Sequence, residues 1–195
     1  TEKGYRPYYI YGNTKGEGRE WVPMAAYEEA YREILDFEKR QGIHFEYIFL
    51  ASSTNATQSG LLAGSLKAGD NRKIVGISVS RNEARGKEVI GHGLEEYGEK
   101  FSWKLPGDFR EHILFTDAYM EEGYGAFSEN VAEMIREVYG EDGIPLDMTY
   151  TGKAFYGMVK YLEENKIRDK NILFLHTGGT PLFFDFLKQE DGLQP

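Results

Sequence analysis

The sequence predicts an α/β fold: an open, mostly parallel sheet with helices on both faces. Short apolar runs of strand length at residues 47–51, 73–80, 112–116 and 171–176 alternate with segments of helical period. Strands separated by helices of this length argue for a parallel sheet whose faces are covered. Twenty-three glycines in 195 residues supply the tight turns this alternation needs.

In chain order, residues 7–11 read as a short strand and residues 12–18 as a glycine-rich loop. That loop lacks the spacing of a dinucleotide fingerprint or a P-loop. Residues 22–41 form an amphipathic helix, with Tyr27, Ala30, Tyr31, Ile34 and Phe37 at helical spacing and Gly42 as the stop. The strand at 47–51 runs into the polar turn Ser52-Ser53-Thr54-Asn55-Ala56, and a helix follows over 57–68. After the strand at 73–80, residues 82–101 read as a helix weakened by four glycines. The run 112–116 is the third strand. Residues 121–127 make a turn with an aromatic residue in it, and Ser128 caps a helix carrying Val131, Met134, Ile135 and Val138 on one face. Residues 151–165 form another helix, buried through Phe155, Met158, Val159 and Leu162. The last strand, 171–176, leads through Thr177-Gly178-Gly179-Thr180 into a short apolar helix.

Composition narrows the function classes. The net charge is −9 with no basic cluster, which argues against nucleic-acid binding. There are no cysteines, so disulfides and thiolate zinc sites are excluded, and no metal site is expected. No apolar run approaches the ~20 residues of a membrane span. A cytoplasmic protein that binds no nucleic acid and no membrane is the expectation.

The turn after residue 51 is the candidate site. A strand, a polar turn and a helix start place unpartnered N–H groups and the positive end of a helix dipole together. Ser53, Thr54 and Thr57 add hydroxyl donors, which suits a phosphate. The residues alone leave open both an anion site and an ordinary helix cap. Ligands of parallel sheets bind beyond the carboxyl ends of the strands. The turns after residues 51 and 176 therefore converge on one ligand if their strands are neighbours.

Three segments together resemble one family. They are Ala51-Ser52-Ser53-Thr54-Asn55-Ala56-Thr57-Gln58-Ser59-Gly60, Gly143-Ile144-Pro145-Leu146-Asp147-Met148-Thr149-Tyr150-Thr151-Gly152-Lys153, and Leu173-Phe174-Leu175-His176-Thr177-Gly178-Gly179-Thr180-Pro181. The turn Gly123-Tyr124-Gly125 also fits. The resemblance is to the D-cysteine desulfhydrase and 1-aminocyclopropane-1-carboxylate deaminase group of pyridoxal-phosphate enzymes, with the tryptophan-synthase-β type of fold (fold type II). It implies pyridoxal 5'-phosphate as cofactor, held at its phosphate by Ser53, Thr54, Asn55, Ala56 and Thr57. It further implies that Tyr150 is the acid/base group beside the reacting carbon. Thr151, Thr177 and Gly178 would lie near the cofactor ring, one hydroxyl reaching the pyridine nitrogen. His176 is expected to be structural, and Lys153 a solvated or loop-pairing lysine.

Deaminase-type members resemble each other in a glutamate at the position of Thr151 and a leucine at that of Thr177, so both threonines resemble the desulfhydrase branch. That implies α,β-elimination from a small D-amino acid, D-cysteine foremost, giving pyruvate, ammonia and sulfide. The alternatives are deaminase or racemase chemistry, or a non-catalytic phosphate-binding fragment. The chain departs from the family in Asn55 and Ala56, where desulfhydrases tend to have glycines. Asn55 either crowds the phosphate or donates to it. Nothing in the chain matches the motif of the Schiff-base lysine. The expectation is therefore the C-terminal portion of a longer protein, completed by an N-terminal portion and assembled as a homodimer. Residues 1–42 would be a remnant of the small domain with a connecting helix. Residues 43–195 would be the C-terminal part of the large cofactor-binding domain.

Overall fold

The computed structural model describes Gly4 and residues 21–190. The strand expected at 7–11 and the loop at 12–18 lie outside the described residues. In order the elements are α1 (Trp21–Gln41), β1 (Tyr47–Ser52), α2 (Ala56–Ala68), β2 (Lys73–Ser78), α3 (Glu83–Lys100), β3 (Leu114–Thr116), α4 (Glu129–Asp142), α5 (Thr151–Glu164), β4 (Ile172–Leu175) and α6 (Thr180–Glu190). The third strand starts later than its apolar run suggests, because His112 belongs to a 3-10 turn, Phe109–His112, that buries Phe109.

The sheet has the order β3-β2-β1-β4 and every pair is parallel. Side chains alternate across it as the pleat requires. Ile48, Leu50 and Ile74 face α1 and α2 with Tyr31 and Leu61. Tyr47, Phe49, Val75 and Ile77 face α5 with Ala154 and Met158. α3 joins the first face through Ile90 and Leu94, and α4 and α6 pack together through Val131, Ile135, Phe183 and Phe186. Helices thus cover both faces, as the alternation of periods predicts.

The small residues of α2 bring α1 close. A Cβ at Gly60 would fall 2.5 Å from the Met24 carbonyl oxygen, and one at Gly64 would fall 2.7 Å from Tyr31 Cβ. On α1 itself the buried residues are Met24, Glu28, Tyr31 and Glu38, whereas Phe37 is exposed. The two buried carboxylates have partners. Arg72 forks onto Glu38 with Nη1 at 3.0 Å from Oε1 and Nη2 at 2.8 Å from Oε2, and its Nε donates to Asp70 at 2.7 Å. Tyr31 donates to the same Asp70 at 2.6 Å, and Phe45 N donates to Glu38 at 2.6 Å. This cluster fixes the end of α1 to the entry of β2. Burial works against the Asp70 carboxylate, but hydrogen bonds from Tyr31 and Arg72 and the Arg72 charge outweigh it and hold the group below its ordinary value.

Replacing Arg72 with Met is expected to cost about 3–5 kcal/mol, since it strands the Glu38 charge in the interior. Urea unfolding would measure it. The folded pKa of Asp70 lies below its ordinary 3.8, so its stabilisation is present above that pH and fades as pH falls through the folded value. The gap between wild type and R72M should therefore narrow on acidification below pH 3.8.

Candidate active site

β1 and β4 are hydrogen-bonded neighbours, with Leu50 opposite Leu175, so the turns that follow them open on the same side of the sheet. Between them lies a cleft of about 250 Å³ lined by Ser53, Thr54, Asn55, Thr57, Tyr150 and Thr177. The expectation that the two turns converge is met in the geometry. Tyr27 of α1 also lines the cleft, a residue whose helical spacing marks it only as core-facing.

The turn after β1 is built to leave its N–H face free. Asn55 adopts a left-handed conformation (φ 73°), which asparagine tolerates better than most residues. Its side chain neither crowds the cleft nor donates into it. Nδ2 donates to the Gly86 carbonyl at 3.1 Å, and Oδ1 lies 3.1 Å from Ser52 Oγ. The Asn55 side chain makes no capping hydrogen bond to α2. Among the described residues, the first turn of α2 thus presents the free N–H groups and positive dipole end that anions use. Beneath it, the buried Gln58 amide donates from Nε2 to the carbonyls of Leu114 (2.7 Å) and Ile74 (3.3 Å), with Oε1 at 2.9 Å from Ser52 Oγ. Gly76 makes this possible, since a Cβ there would lie 1.9 Å from Gln58 Oε1. A second link joins Ser53 Oγ and Ser80 Oγ at 2.9 Å.

The opposite wall hangs on Asp147. Its fully buried carboxylate accepts from the backbone N–H groups of Thr149 (2.9 Å), Tyr150 (2.8 Å) and Thr151 (2.9 Å), and from Thr151 Oγ1 (2.8 Å). Gly179, after β4, closes over the same carboxylate, where a Cβ would stand 2.4 Å from Oδ1. One side chain therefore positions both Tyr150 and the turn bearing Thr177 and Gly178. The sequence resemblance includes Asp147 in its segment but implies no role for it. The signal was there, an Asp just ahead of a helix start, where such residues satisfy free N–H groups.

Thr151 is fully buried with its hydroxyl committed to Asp147, and it does not line the cleft. Ala56 faces a different cavity. Of the two threonines read as ring neighbours, Thr177 is the one in the cleft. His176 is structural, its Nε2 2.9 Å from the Pro145 carbonyl oxygen and its Nδ1 accepting from Gly178 N at 3.3 Å.

The Tyr150 hydroxyl is hydrogen-bonded to that of Tyr124, on the turn between β3 and α4. That bond first, then burial, then the charges of Tyr124 and Asp147 push the Tyr150 phenol above its ordinary 10, so it is protonated at neutral pH. Of the two expectations for Lys153, the structure shows the loop-pairing lysine and not a solvated one. It is fully buried, and Nζ donates to the Gly123 carbonyl, pinning the Tyr124 turn to the start of α5. Burial pulls its pKa down from the ordinary 10.5, against the pull of Glu121.

A parallel sheet with a hydroxyl-lined helix start beyond one strand and a protonated tyrosine facing it is the architecture of an α/β domain with a polar cleft at the carboxyl ends of its strands. The comparisons with known proteins name the kind. Residues 2–178 match the family model described as "Pyridoxal-phosphate dependent enzyme", and the chain belongs to that family. It is 33% identical over 190 residues to a Pyrococcus furiosus protein provisionally assigned as a 1-aminocyclopropane-1-carboxylate deaminase, covering 91% of this chain and 51% of that protein. It is 28% identical to a D-cysteine desulfhydrase of Serratia proteamaculans, covering 96% and 54%. The crystal structure of an ACC deaminase homologue superposes with a TM-score of 0.79 at 29% identity, over 99% of this chain and 55% of that one. A T.th. threonine deaminase shares the fold at a TM-score of 0.51, 17% identity, over 80% and 57%. The fold is thus that of fold type II, and the family's cofactor is pyridoxal phosphate. The chain spans about half the length of the curated relatives it matches. Among the described residues, no helix is long and apolar enough to cross a membrane.

Replacing Asp147 with Ala should destabilise the domain by on the order of 3 kcal/mol. It should also strip hydrogen-exchange protection from the Tyr150 and Thr151 amides, as NMR would read. Replacing Tyr124 with Phe removes the main cause of the raised Tyr150 pKa. Tyrosine ring-carbon NMR should then find Tyr150 ionising at lower pH than in the wild type.

Proposed function

We propose that this chain is the cofactor-holding part of a pyridoxal-phosphate-dependent lyase acting on a small D-amino acid, D-cysteine foremost. The products would be pyruvate, ammonia and sulfide. The observation that carries the reading is the convergence of the uncapped α2 start, Tyr150 and Thr177 in one cleft. On this reading residues 43–195 belong to the cofactor-binding domain, with α1 packed upon it. The Schiff-base lysine and the grip on the substrate carboxylate come from the part of the relatives' length this chain does not span.

The residues suit the cofactor chemically. The first N–H groups of α2 and the hydroxyls of Ser53, Thr54 and Thr57 hold a phosphate with dipole and hydrogen bonds alone, so no basic side chain is needed in the turn. When bound, the cofactor supplies the electron sink for bonds broken at the substrate's α-carbon. Thr177 offers a neutral hydroxyl at the ring, a weak partner for a protonated pyridine, which suits elimination with an adjacent leaving group. Tyr150 holds a proton at its hydroxyl and can donate it across the cleft, and Tyr124 orients that hydroxyl. Deaminase chemistry is the second reading, favoured by the 33% identical relative assigned to that activity.

Pyridoxine 5'-phosphate has no aldehyde and binds without reacting with lysines. Calorimetry should find that it binds the chain, that pyridoxine does not, and that Thr57→Val weakens binding about tenfold, as expected for a charge-assisted hydrogen bond of about 1.5 kcal/mol or more. Equal binding of pyridoxine and its phosphate would overturn the reading.

A further inference from the structure

On the other side of the phosphate-type turn lies a larger cavity of about 480 Å³. Pro23 and Met24 at the start of α1 and Val89 on α3 give it apolar walls. Arg81 and Arg85 give it positive charge, and Thr54 lines both this cavity and the cleft. The feature that needs explaining is Arg81. Its Nη1 is shielded from solvent and has no hydrogen-bond partner. A guanidinium nitrogen in that state forfeits hydration and gains nothing in return.

The residue cannot simply swing away with its backbone. The buried Ser78 hydroxyl donates to the Arg81 carbonyl at 2.6 Å and accepts from its N–H at 3.0 Å, and Asn82 caps α3 immediately afterwards. Arg85, by contrast, pairs with Glu88 at 2.6 Å, with both side chains largely exposed. Arg81 is thus the cation here that lacks a counter-charge among the described residues.

We propose that this cavity is a second anion site, taking a small monocarboxylate with a short aliphatic body. The carboxylate would bind Arg81, with Ser59 at its side, and the aliphatic part would lie on Pro23, Met24 and Val89. A single negative charge is favoured because Glu96 lines the same cavity and would repel a dianion. The site adjoins the phosphate turn at Thr54 and Ala56 but takes its charge from Arg81, outside that turn, and does not depend on the proposed lyase activity.

The test is a titration of the isotope-labelled 195-residue chain with sodium propionate, followed through backbone amide resonances. Saturable shifts are expected at Ser59 and Gly93, which both line the cavity. In Arg81→Met the apparent Kd should rise at least tenfold. Arg81→Gln, which keeps hydrogen-bonding groups without the charge, should behave the same way and serves if the Met variant folds poorly. A parallel titration with inorganic phosphate, read at the Thr57 amide, should be unchanged by either substitution, so failure of the cofactor reading would be seen separately. Absence of saturable shifts in the wild type, or an unaltered Kd in a folded Arg81 variant, would overturn the proposal.

Discussion

The candidate site depends on one buried amide. Gln58 sits in the first turn of α2, yet its side chain points inward across the sheet, reaching the carbonyls of Ile74 and Leu114 and the hydroxyl of Ser52. It ties the helix start to the end of β1 and to β2 and β3. A polar side chain in such a place is favourable only when its groups are satisfied, and the bare Gly76 in β2 provides the room. With the helix start held from below, nothing need hold it from above. Asn55 turns its amide back to Gly86, and the outward N–H face stays open.

Asp147 does the same on the facing wall. It accepts from three successive N–H groups and one hydroxyl, and Gly179 packs over it. Each wall is therefore fixed by a buried polar group behind the chain. The residues facing the ligand make few commitments of their own. Held in that way, the backbone that carries Tyr150 and the turn that carries Thr177 are fixed in advance, as the proposed role of these residues would require.

The elements were legible because their signals are hydrophobic periods, and both faces of the sheet follow from them. The residues that line the cleft were largely legible too, because Ser53, Thr54, Thr57, Tyr150 and Thr177 are the kinds of group that turns expose. What the sequence concealed was the polar interior. Gln58, Asp147, Lys153 and the Glu38–Arg72–Asp70 cluster all read as surface residues by type, and only their partners, distant in sequence, make burial tolerable. Thr151 belongs with them. It was expected near the ring with Thr177, and its hydroxyl donates to Asp147, a partner that residue type alone does not announce. His112 shows the reverse case, an apolar run whose first residue a local turn takes before the strand begins.

The position of the cleft in the sheet bears on how the site is completed. A ligand site of a parallel sheet draws walls from strands on both sides of it, and strands of such sheets are covered on both faces. Here β1 is buried along nearly its whole length, while all four residues of β4 are only half-buried, and Leu182 and Phe184 on the adjoining helix are exposed. The apolar character of β4 is that of an interior strand, but among the described residues its setting is that of an edge. The relatives are about twice as long as this chain. On the proposed reading the same additional polypeptide that brings the Schiff-base lysine would also cover β4. The lysine and the cover over β4 would then arrive together, whereas an exposed edge beside the cleft leaves the phosphate turn in high dielectric. Its dipole and hydrogen bonds gain strength only when that side is closed.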